Sequence, residues 1–167
     1  GTFSKYLPPR QFEPLAVEFV TGSISAQGLY EVAEITFPKT HPLRALYLYD
    51  APDGRVLPAM NMTLRHGVRS SLKLKETGDV QAALALSNPE QSPNLSFTDM
   101  GGHGYATVRV SPAELETEFV CIPRPFESVN SPDGGPLVYR LQHRVPLWRV
   151  GETPRLEQRL VEGQLPV

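Results

Sequence analysis

The stretch GGHGYATVRVSPAELETEFVCIP, residues 101–123, decides the fold class of this chain. Ala106–Val110 (ATVRV) is rich in β-branched residues, and Ser111-Pro112-Ala113-Glu114 interrupts it with a turn. A second run follows at once, so the two read as neighbouring antiparallel strands of a meander. Within it Leu115, Thr117 and Phe119 fall on one side and Glu116, Glu118 and Val120 on the other. That alternation belongs to a sheet with one covered face.

Toward the C-terminus, residues 124–136 form a polar loop with SPDGGP at its tip, and LVYRLQHRVPLW (137–148) reads as a further strand. The tail LEQRLVEG (156–163) fits a short strand or helix. Toward the N-terminus, Asn94–Asp99 (NLSFTD) is expected to be a strand leading into the glycines. Seventeen prolines and thirteen glycines divide the rest into short pieces. Strands are expected at Leu15–Val20, at Tyr30–Phe37, which alternates in part before Pro38, and at Arg44–Tyr49, closed by the turn Asp50–Gly54. Thr63–Glu76 lacks proline and reads as a helix with Leu64, Val68, Leu72 and Leu74 on its apolar side, weakened by Gly67. Asp79 is placed to cap a short helix over residues 80–86, stopped by Asn88-Pro89. The expected result is one α/β, β-rich domain with one or two helices between two groups of strands.

Composition narrows the function classes. A formal charge of −2 gives no basic footprint for nucleic acid. The single cysteine, Cys121, leaves no internal disulfide and no multi-cysteine zinc module; in EFVCIP it reads as a small buried hydrophobe. No apolar run approaches the roughly 20 residues that span a bilayer. The histidines His41, His66, His103 and His143 are scattered, without metal-ligand spacing. No Walker loop, dinucleotide fingerprint or nucleophile elbow is present. The opening GTFSKYLPPRQFEPL runs straight into an apolar segment and is expected to begin inside a larger protein, the alternative being removal of a leader.

The run NPEQSPNLSFTDMGGHGYATVRVSPAELETEFVCIPRP (88–125) is similar to a late segment of the alkaline phosphatase D (PhoD-like) metallophosphoesterases. That segment joins an Asn-Pro stretch through an aromatic strand to a Gly-Tyr strand, a turn and a closing strand. AVEFVTGSISAQG (16–28) resembles an earlier segment of the same family, in the same order. HPLRAL, HGVRS, DGGPLVYR and HRVPLW extend the resemblance over most of the chain.

The resemblance implies the second half of a calcineurin-like two-sheet sandwich over residues 1–123, with a family-specific C-terminal β extension, 124–167, packed on it. It implies hydrolysis of phosphate mono- or diesters with iron and calcium, and a periplasmic or secreted location. The family's Gly-Asp-x-His motif normally precedes the first segment and is absent here; Gly78-Asp79 is followed by Val80 and Gln81. The metal ligands are therefore expected on an upstream segment or a separate companion chain, the implied partner. This chain alone is expected to be inactive.

Within the chain, His103 is the first candidate for contact with phosphate or with a neighbouring ligand, since glycines flank it and the family often has a basic residue there. The alternative is a loop histidine satisfied by backbone. Ser23 and Ser25 follow the place of the missing motif and either face the site or satisfy their own turn. His66 and Arg69 carry charge suited to a phosphate, or simply form a solvated helix face. Glu18 either orders a ligand or faces solvent. Arg140, His143, Arg144 and Arg149 read as one polar strand face rather than a nucleic-acid stripe. A non-catalytic β-sandwich binding or assembly module is the alternative function.

Overall fold

A computed structural model describes residues 2–7, 11–124, 130 and 135–166, with side chains from Leu15 onward. The architecture is mixed α/β: a four-stranded antiparallel sheet, two two-stranded sheets and short helices. The chain divides into two compact units, one formed by residues up to Ser25 together with Gly102–Leu165, the other mainly by Ala26–Gly101.

The first two strands, β1 (Thr2–Leu7) and β2 (Gln11–Val17), pair as an antiparallel hairpin with a register shift between Phe3 and Ser4. The strand expected at Leu15–Val20 thus lies three residues later than the end of β2 allows.

The second unit begins with α1 (Leu29–Thr36), where a strand was expected over Tyr30–Phe37. Local capping and a helical stripe override the partial alternation. The Gly28 N–H donates to the Glu31 carboxylate at 2.8 Å. Tyr30, Ala33 and Phe37, spaced by three and four, turn together onto Leu48 and Met60. Arg44–Tyr49 is likewise not one strand. Pro42–Leu46 forms a 3-10 turn, begun by His41 Nδ1 accepting from Leu43 N–H at 3.2 Å, and only Leu48–Asp50 (β3) is extended. β3 pairs with β4 (Val56–Pro58) across the expected turn, which Ala51 N–H closes onto Arg55 O at 2.8 Å.

The expected helix over Thr63–Glu76 is two helices, α2 (Met60–His66) and α3 (Val68–Thr77). They break at Gly67, whose φ of 93° no helix accommodates. Leu64, Val68 and Leu72 are exposed; the inward side carries Met62, Ser70, Ser71 and Leu74. α4 (Val80–Leu84) starts where Asp79 was placed as its cap, the carboxylate accepting from Gln81 and Ala82 N–H at 2.8 and 3.1 Å. Met62, Leu74 and Ala83 form the core of this end of the unit. Residues 94–99 are not a strand. Backbone donors there find side chains instead of a ladder: Met100 N–H reaches Asn61 Oδ1 at 2.8 Å and Gly101 N–H reaches Asp99 Oδ1 at 3.0 Å.

The sheet of the first unit has strand order β5 (His103–Val110), β6 (Glu114–Ile122), β7 (Tyr139–Pro146), β8 (Glu157–Gly163). The Ser-Pro-Ala-Glu turn forms as read, with Ser111 Oγ accepting from Ala113 and Glu114 N–H. The boundary at 123/124 falls between β6 and β7, which pair along their length. The polar loop expected over 124–136 lies largely outside the described residues.

Alternation sorts the sheet's faces as expected. Thr117, Cys121, Tyr139, Leu141, His143 and Val145 are buried on one face. Phe19 lies over it, 6.3 Å from the Phe119 ring and 5.4 Å from the His143 ring. Burial pulls the His143 pKa down. His143 therefore does not share a face with Arg140 and Arg144, a correction to the single basic face; Arg149 lies beyond the strand altogether.

Candidate functional site

Two segments distant in sequence meet where β5 begins. Its second residue, Gly104, has φ 154°, and a Cβ there would stand 2.0 Å from Val120 O, so only glycine fits. The Gly104 N–H turns away from β6 and donates to Ser23 O at 3.4 Å. Ser23 Oγ accepts from Ser25 N–H at 3.3 Å, and Ser25 O accepts from Arg124 Nε at 2.9 Å. Gly22 sits so close that a Cβ on it would meet Gly102 O at 3.4 Å.

Ser23, Ser25 and His103 are thus gathered in one region, and Arg124 joins them. Sequence reasoning missed Arg124, although it stands just beyond β6 in IPRP. Ser23 and Ser25 are exposed. His103 is not the unobstructed loop histidine expected: it opens β5 opposite Ile122 and is only 7% exposed. Hydroxyls, an imidazole and a guanidinium can together offer hydrogen bonds to an oxyanion.

His66 and Arg69 belong to the other unit. His66 closes α2, its Nδ1 2.8 Å from Ser87 Oγ and its carbonyl accepting from Asn88 N–H at 2.9 Å. Burial, aided by the neighbouring Arg65 charge, lowers its pKa. Arg69 is exposed on α3, and Glu18 is exposed between β2 and the serine turn. Among the described residues no three His, Cys, Asp or Glu side chains stand together to hold a metal ion, so iron or calcium does not fit a ligand set there. Cys121 is buried and takes part in no disulfide among the described residues.

The opposite face of the sheet is a charge lattice. Glu118 holds Arg140 at 2.7 Å, Glu116 holds Arg109 at 3.3 Å, and Arg144 lies between Glu114 and Glu157. The hydrogen bond that Arg140 donates to the Glu118 carboxylate raises the Arg140 pKa. A concavity of about 400 Å³ opens here, lined among others by Thr107, Arg109, Glu118, Arg140, Gln142 and Arg159. Each of Arg109, Arg140 and Arg144 is matched by a glutamate, so this face is not a basic stripe. No helix among the described residues is long and apolar enough to cross a membrane. No protein-family model, curated protein or solved structure matches the chain.

Proposed function

We propose that this chain is the closing part of a PhoD-like phosphoester hydrolase, completing a calcineurin-like two-sheet sandwich whose metal ligands lie on an upstream segment or a companion chain. The observation that carries the reading is the bond from Gly104 N–H to Ser23 O. It joins the two stretches that resemble the family, AVEFVTGSIS and GGHGYATVRV, at the place where the resemblance calls for a site. In this reading iron and calcium, held outside the described residues, supply the activated water. Arg124 and His103, with the Ser23–Ser25 turn, shape the edge of the site and present donors toward phosphate oxygens. An enzyme of this kind acts on phosphate mono- or diesters in the periplasm or outside the cell.

Denaturing intact-mass measurement of the purified material, followed by assays with p-nitrophenyl phosphate and bis-p-nitrophenyl phosphate, tests it. A second, longer chain, with phosphoesterase activity lost on chelation, is the expected result. A single folded, soluble 18.5 kDa species without activity or companion overturns it. That outcome favours a second reading, a non-catalytic binding or assembly module, for which the ion-paired concavity of about 400 Å³ is the supporting observation.

A further inference from the structure

The four-stranded sheet has two edges, and they differ. β8 carries Glu157, Arg159 and Glu162, and a register shift against β7 bends its pairing between Arg140 and Leu141. Charges and bulges of this kind discourage strand addition. β5 carries a single charge, Arg109, with no proline and no register shift against β6.

The hydrogen-bond phase of β5 follows from its two ends. Gly104 N–H points out, to Ser23, whereas Ser111 N–H points in, to Glu114 O at 2.9 Å. With a period of two, the N–H and C=O groups of Ala106, Val108 and Val110 point outward from the sheet. Val108 and Val110 are 60% and 73% exposed, both on the apolar side.

We propose that this edge pairs antiparallel with β5 of a second copy, about a two-fold axis through Val108. This register uses all three outward residues and leaves Gly104 to Ser23. It sets Val108 opposite Val108 and Ala106 opposite Val110, exchanging about six backbone hydrogen bonds. Arg109 then faces Thr107 of the other copy, so no like charges meet. The result is one continuous sheet of two copies, with both apolar faces on the same side. This assembly goes beyond the proposed hydrolase and does not depend on it.

Light scattering across a concentration series is the first test, and a mass approaching twice 18.5 kDa is expected at high concentration. Val108→Pro removes an outward N–H while sparing the bonds to β6, so it is expected to keep its circular dichroism spectrum and lose the dimer. Val108→Cys is expected to form a disulfide-linked dimer under mild oxidation, because directly opposed residues stand about 5.5 Å apart at Cα; Arg109→Cys, opposite threonine, is expected not to. A monomer at every concentration, an undiminished dimer in a folded Val108→Pro protein, or equal cross-linking of both cysteine variants overturns the proposal.

Discussion

Replacing Gly104 by alanine tests how the candidate site is built, because two separable penalties meet there. Its φ of 154° lies in a region that side chains rarely adopt, at a cost of about 1–3 kcal/mol. The new methyl would also stand 2.0 Å from Val120 O and 3.1 Å from Cys121 Cα. Both are backbone atoms of the paired strand, so no rotamer change relieves the clash. Prying β5 from β6 to make room adds about 1–3 kcal/mol more. The total of about 4 kcal/mol is a large share of the roughly 5–15 kcal/mol that holds a domain together. With a urea slope of about 2 kcal/mol/M, the midpoint is expected to fall by about 2 M, read from Trp148 fluorescence and far-UV circular dichroism. Gly54→Ala is the matched control: φ is 86°, but nothing lies within 4 Å of the added methyl, so only the backbone penalty applies. Equal losses in the two variants would refute the reasoning, since the steric part would then be absent.

Asp50→Ala strands Arg44, which is 4% exposed and grips Asp50 with two hydrogen bonds, and is expected to cost about 3 kcal/mol in chemical denaturation. Adding Arg44→Met should recover part of that loss by removing the stranded charge. Stability is also expected to fall with pH. The pKa values of His143 and His66 are both lowered by burial, so below about pH 6.5 the unfolded chain binds protons that the folded chain refuses. The loss grows as pH drops from 7 and levels off below the folded pKa values; His143→Phe should flatten the profile in a pH series of thermal melts. Asp79→Ala removes the cap of α4 and is expected to cost about 1 kcal/mol, seen as faster amide exchange at Gln81 and Ala82. For the proposed hydrolase, tested with its upstream part present, His103→Ala is expected to lower phosphoester turnover, and unchanged kinetics would dismiss the role proposed for it.

The meander was legible because its signals are local and agree: β-branched runs, period-two polarity and a Ser-Pro turn all fall within residues 106–122. The same holds for the Asp79 cap and the turn after Asp50. Tyr30–Phe37 failed because its period is ambiguous over eight residues, and what settles it is contact with Leu48 and Met60. Asn94–Asp99 failed because neighbouring donors are captured by Asn61 and Asp99 side chains, which no strand pattern reveals. In the site, His103 and Ser23 stood out singly as polar groups among small residues. Their neighbourhood is marked by a long-range backbone bond, and Arg124 joins through a bond spanning the chain to Ser25.

The apolar face of the sheet links the two proposals. Near β7 it is closed, with Leu141 and Val145 buried and Phe19 against the Phe119 and His143 rings, while toward β5 it lies bare at Val108 and Val110. A sandwich needs its second layer on that side, since the other side satisfies its charges by itself across Arg109, Glu116, Glu118 and Arg140. Pairing two copies at β5 would place both bare areas side by side, doubling the apolar floor on which an upstream layer could rest. The proposed hydrolase and the proposed dimer therefore use different parts of β5: its side chains for the layer, its backbone edge for the second copy. A substitution on the apolar face such as Val110→Thr should weaken the first while leaving the backbone pairing of the second in place. Val108→Pro, which keeps an apolar ring on that face but removes an outward N–H, should break the second.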